Sequence, residues 1–305
     1  MSEDEFNAKP VRIRGIKILG AKRTRVRTIE SELESAYDAT TFGEVAKSIS
    51  AAVKTFESFG IFKKMHIHVG ATDQAGVADL IVQVEEAGVQ KLSVQLSQDG
   101  KDSAADLQGT FLNPLGFAES VKIEAIVGKS GSQNFQAALR VPHFLGLKST
   151  TIIEAFQSAV HLTDTSGCTA RSQGINLKYQ PDGSAHSFVF EIAKRDLIPS
   201  LARPHGTFAN VSSEMLRQVM DPSLKSSLKH CFKWSKHTSH PRELKATVKA
   251  TNELAGAGGD VCFWKSLVEL SVSKILTAPY WGSAGLECRA KVAGGFLYPM
   301  GIDGG

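Results

Sequence analysis

The stretch at 242–272 reads RELKATVKATNELAGAGGDVCFWKSLVELSV, and it has two faces. Leu244, Ala246, Val248 and Ala250 fall on one parity, with Glu243, Lys245, Thr247 and Lys249 on the other. A glycine-rich break at 256–260 interrupts the pattern. It resumes with Trp264, Val268, Leu270 and Val272 against Lys265, Glu269 and Ser271. A period of two is the mark of a β-strand with one apolar face. A glycine break between two such runs marks a hairpin. Both runs are long, since soluble strands average about five or six residues. The oily face must therefore lie against either a protein core or lipid.

The same pattern extends outward in both directions. From residue 89 onward the sequence predicts strands in series near 89–98, 103–112, 117–128, 133–141, 149–162, 170–180, 185–195, 224–236, 242–254, 261–276 and 283–297, with a further short one near 210–219. Asp99-Gly100, Pro181-Asp182-Gly183 and Asp221-Pro222 supply turn chemistry between them. Leu224, Leu228, Phe232 and Trp234 oppose Lys225, Lys229 and Lys233; Leu286, Cys288, Ala290 and Val292 oppose Glu287, Arg289 and Lys291. So many antiparallel strands build either a sandwich or a barrel. The strand lengths and the full charges on the polar faces favour a membrane barrel. So does the placement of Phe144, Phe156, Trp264, Tyr280, Trp281 and Tyr298 near expected strand ends.

The first 88 residues read differently. VRIRGIKILG predicts a strand. TRVRTIESELESAYD places Val26, Ile29, Leu33 and Tyr37 at helical spacing, with Thr24 as the expected N-cap. Phe42, Val45, Ile49, Val53, Phe56 and Phe59 form a second helical stripe that stops at Gly60, a natural left-handed stop. FKKMHIHVGA and GVADLIVQVEEA alternate as strands. Strand, helix, helix, strand, strand in so short a span predicts a small α+β layer with one core.

The composition excludes several classes. A net charge of +4 over 305 residues, with no concentrated basic stripe, argues against nucleic acid. The four cysteines, at 168, 231, 262 and 288, make neither a CxxC nor a short metal pair. MSEDEFNAKP is acidic and polar, which resembles neither a signal peptide nor a transit segment. No run is apolar enough for a membrane helix, which says nothing about barrel strands.

Catalytic motifs are mostly absent: the sequence has no HExxH and no GxSxG. The GKS at 128–130 lacks the earlier glycine of a phosphate loop, and the glycines at 256–260 precede a strand, not a helix. His66 and His68 share a strand face without a matching Cys or carboxylate pair. The expectation is a protein that is not an enzyme, with no catalytic residues, no metal site and no cofactor.

Two stretches of the first 88 residues, IRGIKILGAKRTRVRTIESEL and AVKTFESFGIFKKMHIHV, resemble a polypeptide-transport-associated (POTRA) domain. TFLNPLGFAESVKIEA and ALRVPHFLG look like the early hairpins of the outer-membrane assembly and translocation barrels. SLKSSLKHCF and NELAGAGGDVCFWKSLVEL resemble the core barrel subunit of the mitochondrial sorting and assembly machinery. The resemblance implies a polar tail at 1–10, a POTRA domain at 11–88 and a membrane β-barrel at 89–305. The fold class it implies is an α+β POTRA domain followed by an antiparallel transmembrane β-barrel, partial, with about 11–12 strands present. The family carries an Arg-Gly-Phe motif after a strand like that at 283–297, whereas this chain closes on GGFLYPMGIDGG. A C-terminally truncated member is therefore expected.

The function implied is insertion of β-barrel precursors into the mitochondrial outer membrane, with the POTRA domain in the intermembrane space. The partners implied are those precursors, other subunits of an assembly complex, and lipid. The first barrel strand is expected to act as a gate whose edge accepts a precursor strand by main-chain pairing. Its residues are Lys91, Leu92, Ser93, Val94, Gln95 and Leu96, with Leu92, Val94 and Leu96 toward lipid and Lys91, Ser93 and Gln95 inward. The alternatives are a polypeptide-translocation channel of the same superfamily, or a soluble all-β binding protein.

Overall fold

The computed structural model describes residues 7–74, 76–99, 102–129, 131–162, 168–199, 222–236, 245–276 and 286–300. It forms two compact units. One comprises Met1–Ser93, Gln108–Ile123 and Leu139–Pro142; the other comprises Val94–Leu107, Glu124–Ala138 and His143–Gly305.

The first unit is built on β1 (Arg12–Leu19), α1 (Val26–Glu32), α2 (Phe42–Phe59), β2 (Phe62–Ala71) and β3 (Val77–Glu86). The three strands form one sheet in the order β1-β3-β2, with β1 parallel and β2 antiparallel to β3. Being central, β3 buries Leu80, Val82 and Val84. Ile29 from α1, Leu33 just after it, and Ala52, Phe56 and Phe59 from α2 join Val82 and Val84 in one core cluster. Each of the Val, Leu, Ile and Phe side chains among them contributes about 1.5–3 kcal/mol.

Both ends of α2 follow from its sequence. Thr41 Oγ1 accepts from the Glu44 amide at 3.3 Å, while the Glu44 carboxylate accepts from the Thr41 amide at 3.2 Å. This reciprocal capping satisfies amides that have no partner within the helix. At the other end Gly60 takes the left-handed conformation at φ 66°. Of the expected stripe, Val45, Phe56 and Phe59 are buried, and Phe42, Ile49 and Val53 are half-buried.

The first helix departs from expectation. It stops at Glu32 and is followed by a 3-10 turn at Glu34–Ala36. Ile29 and Leu33 are buried, but Val26 and Tyr37 are exposed. The N-cap is Arg25, with no side-chain cap bond. Thr24 is occupied elsewhere, because its hydroxyl donates to the Glu86 carboxylate at 2.7 Å.

The remaining strands form one sheet of eleven in simple sequence order: β4 (Gln90–Asp99), β5 (Asp102–Leu112), β6 (Ser120–Gly128), β7 (Gln133–Pro142), β8 (Ser149–Leu162), β9 (Cys168–Pro181), β10 (His186–Pro199), β11 (Ser223–Lys236), β12 (Lys245–Ala255), β13 (Phe263–Leu276) and β14 (Leu286–Pro299). Pairing from β8 to β14 is antiparallel throughout. All eleven firm strand expectations are present; the twelfth, near 210–219, lies outside the described residues. β4 and β14 stand at the two ends of the order, so the sheet is not closed among the described residues.

The strand expected at 117–128 starts later, at Ser120. Residues 117–119 belong to a loop, because Ala118 has φ 63° and the Glu119 side chain folds back onto the loop amides. Among the aromatics expected at strand ends, Trp264 and Tyr298 lie there and pair with each other. Phe156 instead sits in the middle of β8, opposite Gly174. Tyr280 and Trp281 lie outside the described residues.

Candidate functional site

The pairing register sorts the side chains of the second unit into two faces. One row runs Ile153, Leu177, Phe190, Leu228, Leu254, Trp264, Tyr298 across seven strands. Every member of this row is exposed. Further along β13, Val268 and Leu270 continue the same apolar face opposite Ala250 and Val248. Exposing this much contiguous apolar surface to water costs about 25 cal/mol per Å², and monomeric soluble proteins rarely expose such patches. A sheet with one exposed apolar face fits hydrocarbon, where that face is the favoured one.

The opposite face is charged and internally paired. Lys225 Nζ lies 3.0 Å from Glu191 Oε1 and 2.5 Å from Glu253 Oε1. Lys229 Nζ lies 2.5 Å from Glu191 Oε2 and 3.7 Å from Glu253 Oε1. Glu191, Lys225 and Glu253 are nearly withdrawn from solvent. Two carboxylates and two ammonium groups in alternation offset each other's desolvation, which none would survive alone. Farther along, Glu269 pairs with Lys291 at 3.0 Å and Lys249 at 3.7 Å. Alternation along one strand puts Lys225 and Lys229 on the polar face, but it does not point to Glu191 or Glu253 on the neighbouring strands. The cluster's members come from β10, β11 and β12, and only the register brings them together.

The turn at 256–260 ties down the strand beside it. Asp260 donates its amide to the Leu224 carbonyl at 2.8 Å and accepts the Leu224 amide on its side chain at 2.7 Å. It is a structural turn, as the sequence indicated.

The expected gate residues Lys91, Leu92, Ser93, Val94, Gln95 and Leu96 all lie in β4, the terminal strand of the sheet order. All six are exposed; Leu92 is 74% and Leu96 80% accessible. β4 has β5 on one side and no neighbour on the other among the described residues. A strand in that position presents unpaired backbone donors and acceptors. His66 and His68 stack with ring centroids 6.2 Å apart, and no group of three metal-ligating side chains occurs among the described residues. Cys231, Cys262 and Cys288 are free thiols.

The loop at 113–119, between β5 and β6, is the most highly determined feature of the first unit. Asn113 Nδ2 donates to Thr24 Oγ1 at 2.8 Å, and Asn113 Oδ1 accepts from the Ala118 amide at 2.8 Å. The Glu119 carboxylate accepts from the amides of Leu115 and Phe117. The Gly116 carbonyl accepts two hydrogen bonds, from the Arg25 amide at 3.0 Å and from Thr28 Oγ1 at 3.2 Å. Its φ is 91°, and an added Cβ would lie 2.6 Å from the Arg23 carbonyl, so only glycine fits. Glu86 anchors the other side, accepting from the amides of Arg23 and Thr24 at 3.0 and 2.8 Å. Burial raises the Glu86 pKa, but the bonds from Thr24 and Arg23 outweigh it and hold the carboxyl at about 2. In the sequence this loop shows only as the Asn-Pro-Leu-Gly run at 113–116 between two strands, which marks a turn and not a site.

The sheet order, the two-faced register and the preceding α+β layer can be set against solved structures. BamA from Haemophilus ducreyi lacking POTRA domains 1–3 matches 95% of this chain with a TM-score of 0.65 at 13% identity. CdiB from Acinetobacter baumannii matches 96% with a TM-score of 0.61 at 11% identity. The chain shares the fold of the part of each that it covers. It spans a little over half of each, 56% of the BamA structure and 54% of CdiB. No family model and no curated relative matches the sequence.

Proposed function

We propose that this chain is the strand-pairing part of an outer-membrane assembly factor that inserts β-barrel precursors, with its α+β layer acting as a POTRA domain. The observation that carries the reading is the pairing of a lipid-compatible row across seven strands with an exposed terminal strand, β4. The shared fold with BamA and CdiB supports it. An edge in hydrocarbon leaves backbone groups unsatisfied, which drives pairing with any strand that arrives. β4 then serves as a template for main-chain hydrogen bonds, and the incoming strand needs no particular side chains. Neither a covalent step nor a cofactor enters this chemistry.

The sequence resemblance supports the mitochondrial outer membrane as the location, with the POTRA domain in the intermembrane space. The partners proposed are barrel precursors, other subunits of an assembly complex, and lipid. Cysteines placed singly along β4 at Lys91, Ser93 and Gln95 test the reading, by disulfide crosslinking to cysteines in the terminal strand of an arriving precursor. Crosslinks that follow one register support strand pairing. Absence of crosslinks, together with passage of a polypeptide through a conducting pore, points instead to a translocation channel. Extraction of the chain from membranes at alkaline pH as a soluble species sinks both readings and leaves a soluble all-β protein.

A further inference from the structure

The loop at 113–119 is built inside out. Its polar side chains, Asn113 and Glu119, are each 2% exposed, while Leu115 and Phe117 are 66% and 45% exposed. Loops ordinarily turn polar groups to water and tuck apolar ones beneath. Here the buried Glu119 carboxylate takes the amides of both Leu115 and Phe117, which fixes their backbone and turns the two side chains outward. Holding a Leu and a Phe rigidly in water forgoes the burial that would stabilise each, so the arrangement makes sense only if something apolar receives them.

The surroundings identify what that is. The Arg25 guanidinium lies 3.8 Å over the Phe117 ring, and Arg25 Nε donates to the Leu115 carbonyl at 3.3 Å. Lys22, Arg25 and Arg27 are exposed within a few residues of one another, and Val26 among them is exposed too. Apolar tips ringed by cations match the boundary between acyl chains and anionic headgroups, where each basic group adds its own attraction. The depth agrees: β5 ends at Leu112 and β6 begins at Ser120, so the loop caps a hairpin whose strands, on the proposed function, cross the bilayer. We infer that Leu115 and Phe117 insert into the interfacial layer of the same membrane, with Arg25 and Arg27 on anionic headgroups. The α+β layer is thereby fixed to the lipid surface through Gly116, Thr24 and Asn113. This inference rests on the barrel reading above.

Single cysteines at Leu115, Phe117, Val268 and Glu57, in the full chain with its four native cysteines replaced by alanine, carry an environment-sensitive fluorophore in vesicles containing phosphatidylglycerol. Val268 reports the apolar strand face, and Glu57, exposed on α2, reports water. The result expected at 115 and 117 is a blue-shifted emission, loss of iodide quenching and quenching by headgroup-proximal spin-labelled lipid. R25Q/R27Q, or vesicles of phosphatidylcholine alone, should reverse the shift. Quenching at 268 with water-like signals at 115 and 117 overturns the inference and leaves the barrel reading intact. Water-like signals at 268 as well defeat both. Shielding at 115 in native membranes but not in vesicles assigns the loop to a protein partner and overturns the lipid assignment.

Discussion

Asn113 Nδ2 donates a 2.8 Å hydrogen bond to Thr24 Oγ1, joining residues 89 positions apart in sequence. The Thr24 hydroxyl in turn donates a hydrogen bond to Glu86, so one chain of hydrogen bonds runs from the β5–β6 loop to the end of β3. Removing one member of such a chain leaves a buried polar atom without a partner. Asn113→Ala should destabilise the first unit by about 1–3 kcal/mol. Hydrogen exchange of the 113–119 amides should accelerate, while exchange within β11 and β12 stays unchanged. Unchanged protection of the loop would refute this account.

The same chain sets a pH dependence. The folded pKa of Glu86 lies at about 2, below its ordinary 4.5. A depressed carboxylate stabilises the fold fully above the unfolded value, and this contribution is lost as pH falls from about 4.5 toward 2. Loop protection in the wild type should therefore decline through that window. In Glu86→Gln it should be weaker at neutral pH and flat across the window, as measured by exchange or proteolysis at stepped pH.

The paired cluster on the charged face makes a different prediction. Lys225 stands between Glu191 and Glu253. Lys225→Met leaves Glu253 with Lys229, and Glu191 with Lys229 and Arg195, and should cost about 3–5 kcal/mol. The double change Lys225→Met/Glu253→Met removes one charge of each sign and should recover part of that loss. Urea unfolding in detergent micelles reads both variants.

The two faces respond oppositely to an added charge. Val268→Arg places a cation on the apolar face and should cost about 2–4 kcal/mol near mid-bilayer. Ser271→Arg, on the opposite parity, should be close to neutral. Membrane recovery after alkaline extraction of the two variants distinguishes them; equal behaviour would mean that the sheet does not have a lipid side.

On the proposed function, strand addition at β4 would rely on backbone donors. Val94→Pro and Gln95→Pro lie one residue apart and so remove amides that point to opposite sides of the strand. One of the two should abolish precursor crosslinking with little effect on membrane integration. The other should break the ladder to β5 and loosen the hairpin. If both variants insert precursors at the wild-type rate in complemented cells, pairing at this edge is not the mechanism.

Alternation alone specified much of this protein. Lys245, Lys249 and Lys265 could not share a face with Val248 and Trp264, because successive strand residues point to opposite sides. So the two faces and the presence of eleven strands were legible, as was the stop of α2 at Gly60. What lay beyond the sequence were the contacts that need register or a loop conformation. Glu191, Lys225 and Glu253 meet because three strands align them, and no local pattern encodes that alignment. Thr24 reads as a helix cap and instead serves Glu86. Phe117 and Glu119 read as the start of a strand, yet a left-handed Ala118 and a carboxylate folded onto its own loop exclude them from it. Sequence periodicity reports what each residue faces on average. Only the tertiary structure determines which distant polar group satisfies a buried one, because that choice depends on geometry set by chain segments many residues away.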